Sequence, residues 1–189
     1  MDAHDEHTLV QRLNAGDEEG LKGLFHMYYK PLLVYAMHFL DSFEEAEDVV
    51  QEVFCSFWER SCREPFAGSS RAYLFSSVRN NSTRRLKELS RYVAEPVEEV
   101  QEWPDYGEER AGREREELTR ALDRLPEQGR AVFTLVVLED MKYKEVAARL
   151  GISVNTVKTH LARSLKQLRG SLGVILFLLL PRERGAAPS

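Results

Sequence analysis

The 189-residue sequence contains only two cysteines, and this scarcity limits the kinds of site that it can build. Cys55 and Cys62 lie seven residues apart in a helical stretch, a spacing that fits neither a zinc ligand pair nor a disulfide framework. A reducing compartment is therefore the expected location. Glycine-rich phosphate loops and the HExxH and GxSxG motifs are also missing, so an enzyme would need a Ser-His-Asp site assembled only in three dimensions. We predict no catalytic residue, metal site or cofactor.

Strand signals and long apolar runs are equally scarce. No segment alternates apolar and polar residues convincingly, and no Asn-Gly or Asp-Gly hairpin turn occurs. The acidic N-terminus has no apolar segment of the secretory type, and the apolar run from Val174 to Leu180 is shorter than the ~20 residues that cross a bilayer. With 43% hydrophobic and 30% charged residues, the composition is typical of soluble, helix-rich domains.

The charges are segregated into blocks, although the formal net charge is only −5. Asp41 to Trp58 has six acids and no base, and Arg60 to Arg91 has eight bases and two acids. Ala94 to Glu117 has ten acids and three bases, and Lys142 to Arg169 has seven bases and one acid. Two basic blocks separated by an acidic one indicate two places that contact phosphates.

The second basic block has the pattern of a helix-turn-helix. Gly151 suits a turn with positive φ, Ile152 fills the corner, and Ser153 caps a second helix. One face of that helix is apolar: Val157, Leu161, Leu165 and Leu168. The other face is basic and polar: Asn155, Thr156, Lys158, Thr159, His160, Arg163, Lys166 and Arg169. Such a helix fits the major groove of DNA. The alternative, a helical hairpin with a solvated basic face, does not explain the Gly-Ile-Ser corner.

The first half of the chain predicts a helical module. Helices are expected to begin near Thr8, Asp17, Phe43 and Arg71, and Pro31 is expected to interrupt or restart the second one. The third helix, from Phe43 to about Glu59, has an acidic stripe that ends in Trp58: Glu44, Glu45, Glu47, Asp48, Gln51 and Glu52. Two interpretations stay open for this stripe, a solvated face and a docking surface for a basic partner.

The predicted fourth helix, RAYLFSSVRNNSTRRLKELSR, mixes aromatic, amide and basic side chains. Rings and guanidinium planes cover unstacked bases in proteins that bind single strands, and the run from Arg79 to Lys87 favours such a role. Aromatic residues at helical spacing more often pack in the core, and this alternative is the one predicted for Tyr73 and Phe75 individually.

Three segments together resemble bacterial RNA polymerase sigma factors of the extracytoplasmic-function group, which keep only the domains called region two and region four. They are AEDVVQEVFCSFWE (46–59), AYLFSSVRN (72–80) and LDRLPEQGRAVFTLVVLEDMKYKEVAARLGISVNTVKTHLARSLKQLR (122–169). The segment KYKEVAARLGISVNTVKTHL is similar in sequence to members of this group from the Bacteroidetes. The resemblance implies an all-α fold of two small helical domains joined by an acidic flexible linker. The expected divisions are region two at 1–93, the linker at 94–113, region four at 114–172, and an apolar C-terminal extension and tail at 173–189.

The resemblance also implies a role for particular residues. Those expected to dock on the clamp coiled coil of polymerase are Asp48, Gln51, Glu52, Phe54 and Trp58. The loop from Cys62 to Ser70 and five helical residues are expected to melt the minus-ten element and hold a flipped base. These five are Arg79, Asn80, Asn81, Arg84 and Arg85. The expected readers of the minus-thirty-five duplex are Ser153, Asn155, Thr156, Lys158, Thr159, His160, Arg163 and Lys166.

The implied partners are core RNA polymerase, through its clamp coiled coil and flap, promoter DNA in duplex and single-stranded form, and an anti-sigma factor. The expected location is cytoplasmic, without direct insertion into a membrane and without catalysis. The rival interpretation is a response-regulator-like activator, because the helix-turn-helix of such activators has a similar sequence. An activator of this kind would carry an α/β domain upstream. The apolar segment from Gly173 to Leu180 is expected either to pack back on region four or to present a patch to an anti-sigma partner.

Overall fold

The computed structural model describes residues 6–90, 116 and 118–180, and every regular element in these ranges is helical. The N-terminal module consists of α1 (Glu6–Asn14), α2 (Glu18–Phe39), α3 (Phe43–Arg63) and α4 (Ser70–Ser90). The C-terminal module consists of α5 (118–123), α6 (Glu127–Phe133), a π-helical turn (Thr134–Leu138), α7 (Tyr143–Leu150), α8 (Val154–Gln167), a 3₁₀ turn (Arg169–Ser171) and α9 (Leu172–Leu179). The predicted all-α fold is confirmed, and the rival α/β domain is absent from residues 6–90. The predicted linker at 94–113 lies outside the described residues.

Helix α2 runs through the middle of the N-terminal module, where it contacts α1, α3 and α4. The prediction that Pro31 interrupts this helix is wrong, because α2 is continuous from Glu18 to Phe39 with Pro31 inside it. A proline in a helix interior costs about 3 kcal/mol through a lost hydrogen bond and a steric clash. The seven residues from Pro31 to Met37 are all buried, and this apolar burial offsets the local cost.

Local capping determines where the long helices begin. The Asp17 carboxylate accepts a hydrogen bond from the Glu19 N–H at 2.9 Å, and the Ser42 hydroxyl accepts one from the Glu45 N–H at 3.3 Å. Helix α3 then continues to Arg63, one turn beyond the predicted end at Glu59. Its apolar stripe is buried against α2 and α4, as the helical spacing predicted: Ala46, Val49, Val50, Val53, Phe54 and Phe57.

The predicted helix-turn-helix is confirmed in detail. Gly151 follows α7 with φ +66°, in the left-handed region that glycine adopts without a steric cost. The Ser153 hydroxyl accepts a hydrogen bond from the Thr156 N–H at 3.0 Å and so caps α8. The stripe predicted to face inward is buried: Val157, Leu161, Leu165 and Leu168. This packing fixes which face of α8 remains available for other contacts.

The two modules pack against each other and share one continuous apolar core. Helix α9 contacts α2 of the N-terminal module more extensively than it contacts the π-helical and 3₁₀ turns of its own module. The segment thus packs back on its own module, which is one of the two expected outcomes, and it also packs on the N-terminal module, which the sequence did not predict. Ile175 and Leu176 are each 1% exposed, so α9 contributes to the junction between the modules.

Candidate functional site

The polar face of α8 splits into two parts. At 100° per residue, Asn155, Lys158 and Lys166 lie on the flank that is turned towards the N-terminal module. Thr156 and His160 lie on the outer flank. Arg163 lies at the rim of the cleft between α8 and α3, where it is exposed and has no ion pair among the described residues. Ser153 and Thr156 also bond to each other through their hydroxyls at 2.8 Å, so both take part in the cap of α8. The Thr159 hydroxyl donates to the Asn155 carbonyl within the helix at 2.9 Å.

Cations of the C-terminal module pair with carboxylates of the N-terminal module. The Lys158 Nζ lies 2.5 Å from the Glu47 Oε2, and this carboxylate also accepts a hydrogen bond from the Tyr29 hydroxyl at 2.8 Å. The Asp41 carboxylate receives an Arg169 guanidinium nitrogen at 2.6 Å and the Lys166 Nζ at 3.0 Å. The sequence predicted contacts with phosphates for these cations, and the structure places carboxylates beside them.

These pairs change the titration of the groups around them. The ammonium group of Lys166 and the guanidinium of Arg169 hold the pKa of Asp41 below its ordinary range, against a smaller opposing effect of burial. Burial raises the pKa of Tyr29, and the neighbouring Tyr143 and Glu47 raise it further. Burial likewise raises the pKa of Tyr143. Asp41 therefore remains a charged acceptor at neutral pH, and Tyr29 and Tyr143 stay protonated.

The acidic stripe of α3 is neutralised along both edges. On one edge, Arg85 of α4 bridges Glu45 at 3.0 Å and Glu52 at 2.9 Å. On the other edge, Glu47 pairs with Lys158. Asp48 lies between them, exposed and without an ion pair among the described residues. The centre of the stripe is thus the part that can receive an external cation.

The other residues predicted on α3 differ in their exposure. Gln51 is exposed, and Trp58 is half-buried against the core. Phe54 is only 4% exposed, and its ring lies 4.9 Å from that of Phe25. Phe54 therefore supports the helix from within and does not offer its ring to a partner.

The predicted single-strand residues of α4 differ in their exposure. Asn80 and Arg84 are exposed, and Arg79 and Asn81 are half-buried. Arg85 is engaged with the two glutamates of α3, so it links the two predicted surfaces. The prediction of core packing for the aromatic residues holds: Phe75 lies 5.2 Å from the ring of Tyr35, and Tyr73 lies 5.2 Å from that of Phe57.

The loop between α3 and α4 is anchored to α1 at two points, within the loop and at the start of α4. The Asn14 side chain accepts a hydrogen bond from the Phe66 N–H at 2.7 Å and donates one to the Phe66 carbonyl at 3.0 Å. The Glu6 carboxylate accepts hydrogen bonds from the Ser70 hydroxyl and, at 3.3 Å, from the Arg71 N–H. Residues 67–69 between these anchors are exposed. The sequence interpretation missed both anchors, because a single Asn and a single Glu in a short amphipathic helix give no signal of such a role.

Two family models match this chain. The model of sigma-70 region 2 matches residues 24–92, and the model of sigma-70 region 4 matches residues 115–168. The first range contains α3 and α4 with their charged faces, and the second contains the helix-turn-helix.

Curated proteins that are similar in sequence to this chain are named as RNA polymerase sigma factors. The ECF RNA polymerase sigma factor RpoE of Cereibacter sphaeroides is 26% identical over 81% of this chain and 86% of its own length. The ECF RNA polymerase sigma factor SigE of Mycolicibacterium smegmatis is 31% identical over 68% of this chain and 52% of its own length. Among solved structures, CnrH in complex with the cytosolic domain of CnrY is 24% identical, with a TM-score of 0.40 over 89% of this chain and 96% of that chain.

Proposed function

The chain belongs to the sigma-70 family, as an RNA polymerase sigma factor of the extracytoplasmic-function group, and from this premise we propose which of its surfaces bind polymerase and which bind promoter DNA. As a sigma factor it directs RNA polymerase to promoters. The assignment of DNA-binding residues rests on the geometry of the helix-turn-helix: α7, the left-handed Gly151 and the capped α8. This arrangement leaves one polar, cationic face on a rigid helix.

In this proposal, α8 reads the minus-thirty-five duplex. Lys158, Arg163, Lys166 and Arg169 contact phosphates and so position the helix, because phosphate contacts carry no sequence information of their own. Base edges are read by the remaining polar residues of the helix: Asn155, Thr156, Thr159 and His160. A lost bidentate base contact costs roughly 1–3 kcal/mol of discrimination. Ser153 contributes through the cap that fixes the start of the helix.

The centre of the acidic stripe on α3 is the proposed docking surface for the polymerase clamp coiled coil. Asp48, Gln51 and Glu52 offer the polar contacts, Trp58 borders them, and Phe54 supports the helix from the core. Charge complementarity with a basic partner would accelerate association and fix its orientation. The free carboxylate of Asp48 supports this assignment.

The proposed single-strand surface combines α4 with the loop at 64–69. Arg79, Asn80, Asn81 and Arg84 supply cations and amides along α4, and Arg85 anchors α4 to α3. The exposed tip of the loop, residues 67–69, would hold a flipped minus-ten base. The fixed ends of this loop support the assignment, because a preordered loop loses less conformational entropy on binding.

We further propose an anti-sigma factor and the polymerase flap as partners, a cytoplasmic location and no catalysis by the chain itself. The KYKEVAARLGISVNTVKTHL segment supports a Bacteroidetes-type member as the finer assignment. No helix within the described residues is long and apolar enough to cross a membrane.

The proposed surfaces are tested by reconstitution with core RNA polymerase, followed by genome-wide run-off transcription. Asp48→Ala is expected to weaken co-elution with the core enzyme, because it removes an exposed carboxylate of the stripe that has no ion pair among the described residues. Glu18→Ala, an exposed acid on α2, is the matched control. Wild-type protein that never co-elutes with core enzyme at any ionic strength would overturn the docking proposal.

A further inference from the structure

Two exposed cysteines lie on the acidic face of α3, and the proposed function gives neither of them a role. At about 100° per residue, side chains seven positions apart on a helix point within about 20° of the same direction and lie about 10 Å apart along its axis. Asp48, Cys55 and Cys62 are spaced in this way. The two thiols therefore continue the line that begins at Asp48.

Cys55 is surrounded by residues that the proposed function assigns to polymerase docking. Side chains three and four positions away are the nearest neighbours on the surface of a helix. For Cys55 these neighbours are Gln51, Glu52, Trp58 and Glu59. The first three belong to the docking surface, and Glu59 is exposed, with no ion pair in the part of the chain that the structure describes. A partner that contacts the first three must therefore cover the Cys55 thiol.

The same face has the pattern that a coiled-coil partner requires. In a coiled coil, a side chain of one helix fills a hole between four side chains of the other helix. Two such holes follow each other on α3, one formed by Asp48, Gln51, Glu52 and Cys55, and the next by Cys55, Trp58, Glu59 and Cys62. All of these side chains are exposed except that of Trp58, which is half-buried. Cys55 is the corner that both holes share, and its short side chain lets a partner approach the helix closely.

We propose that Cys55 is a contact residue at the centre of a docking face that extends from Asp48 to Cys62, and that a bulky adduct on its thiol prevents polymerase docking. The inference rests on the proposed function, which assigns this helix to the clamp coiled coil. It adds to that function a second half of the contact face and a site at which modification controls the contact. The exposed carboxylates of Asp48 and Glu59, on either side of the thiol, suit a basic partner.

The adduct forms by thiol–disulfide exchange with a low-molecular-weight disulfide. The Cys55 thiolate attacks one sulfur of the disulfide, the S–S bond breaks, and the other half leaves as a thiolate, which takes up the proton that Cys55 released. Cys55 is thereby oxidised to a mixed disulfide, and the small disulfide is reduced. An excess of small thiol reverses the step. Cys55 and Cys62 cannot bridge each other, because Cα atoms two helical turns apart exceed the limit of about 7 Å for a disulfide.

The first test measures thiol accessibility in full-length chains with a single cysteine. Cys62→Ser leaves Cys55 alone, and Cys55→Ser leaves Cys62 alone. Each chain reacts with N-ethylmaleimide, free or with core polymerase, and peptide mass spectrometry follows the labelled fraction. With free core at about ten times its dissociation constant, roughly a tenth of the chain stays unbound, so Cys55 labelling should slow about tenfold. Glu18→Cys, combined with both serine changes, supplies a control thiol on α2 whose labelling rate should not change.

The second test places the adduct before docking. Each single-cysteine chain is treated with glutathione disulfide, the excess is removed, and its affinity for core polymerase is compared with that of the same chain untreated. The adduct on Cys55 should weaken binding about tenfold or more, because the residues that dominate an interface cluster near its centre. The adduct on Cys62, at the edge of the face, should weaken binding less. Dithiothreitol should restore both affinities, and circular dichroism confirms that each treated chain is folded.

The outcomes distinguish this inference from the proposed function. Equal labelling rates of Cys55 with and without core polymerase would overturn the inference, and a weaker co-elution of Asp48→Ala would then leave the original docking surface intact. A glutathione adduct on Cys55 that weakens binding no more than the adduct on Cys62 would also overturn it. A wild-type chain that never co-elutes with core enzyme would instead contradict the proposed function itself.

Discussion

The side chain of Asn14, at the end of α1, forms two hydrogen bonds with the backbone of Phe66, 52 residues further along the chain. The amide donates to the Phe66 carbonyl and accepts from the Phe66 N–H, as a neighbouring strand would. A short N-terminal helix therefore fixes the path of the loop proposed to capture a base. The loop needs no regular secondary structure of its own for this.

Asn14→Ala should loosen this loop without disturbing the helix-turn-helix. Loss of both hydrogen bonds leaves two Phe66 backbone groups without this partner and is expected to lower the free energy of unfolding by about 1–3 kcal/mol. Open-complex formation, measured by permanganate footprinting, should slow more than duplex binding weakens. Gln11→Ala is the control, because the exposed Gln11 amide bonds to His7 of the same helix and to no residue of the loop that the structure describes. Equal effects of the two changes on open-complex formation would contradict a positioning role for Asn14.

Glu6 should make stability depend on pH in the acid range. Burial alone would raise the Glu6 pKa, but hydrogen bonds from Ser70, Tyr28 and the Arg71 N–H outweigh burial and hold it below the ordinary value of 4.5. Unfolded protein takes up this proton at a higher pH than folded protein does. The stabilisation is therefore complete above pH 4.5 and is lost as the pH falls through the folded-state pKa.

Glu6→Gln should remove this part of the pH dependence and lower the free energy of unfolding at neutral pH by about 1–3 kcal/mol. Urea unfolding at a series of pH values between about 7 and 3.5 measures both effects. Glu18→Gln, at an exposed position of α2, is the matched change of charge. An unaltered slope for Glu6→Gln would show that its hydrogen bonds do not stabilise the folded state.

Arg163→Ala should weaken binding to every promoter tested. Arg163 is exposed at the rim of the cleft beside α8 and has no ion pair among the described residues, so its loss should leave the fold intact. If it contacts one phosphate, the slope of log affinity against log salt concentration should fall by about 1. Holoenzyme binding at several salt concentrations measures this slope, with Arg149→Ala of α7 as the control. A change confined to sequence preference would instead assign Arg163 to base reading.

Leu176→Ala should destabilise the junction between the modules. Leu176 of α9 is 1% exposed, and truncation of a buried leucine costs about 2–5 kcal/mol through lost burial and a cavity. Leu138→Ala makes the same change at a position that is 46% exposed, and it should shift the urea midpoint far less. Matching midpoints for the two variants would mean that α9 contributes little to the folded state.

The helix-turn-helix could be predicted because its signals are local. Gly151 has to adopt a left-handed backbone, Ser153 has to cap the next helix, and the apolar spacing in α8 identifies its buried face. Each of these requirements involves residues within a few positions of one another. Pro31 shows the limit of the same reasoning, because burial of the surrounding core outweighs its local preference.

The pairing of the modules could not be predicted in this way. Glu47 and Lys158 are 111 residues apart, and Lys30 and Asp140 are 110 residues apart. Segregated charges indicate that each block needs a partner of opposite sign, but they do not identify that partner. From the sequence we predicted polymerase and DNA as these partners. The structure shows that the acidic block at 41–58 and the basic block at 142–169 also form ion pairs with each other.

The contact between Glu47 and Lys158 joins two parts of a single chain. The fraction of molecules in which it forms is therefore independent of protein concentration. A tethered partner acts at an effective concentration that reaches about the millimolar range for short flexible connections, so individually weak ion pairs suffice to keep it engaged. Dilution does not separate such a pair. A competing surface has to exceed this internal concentration to displace either partner.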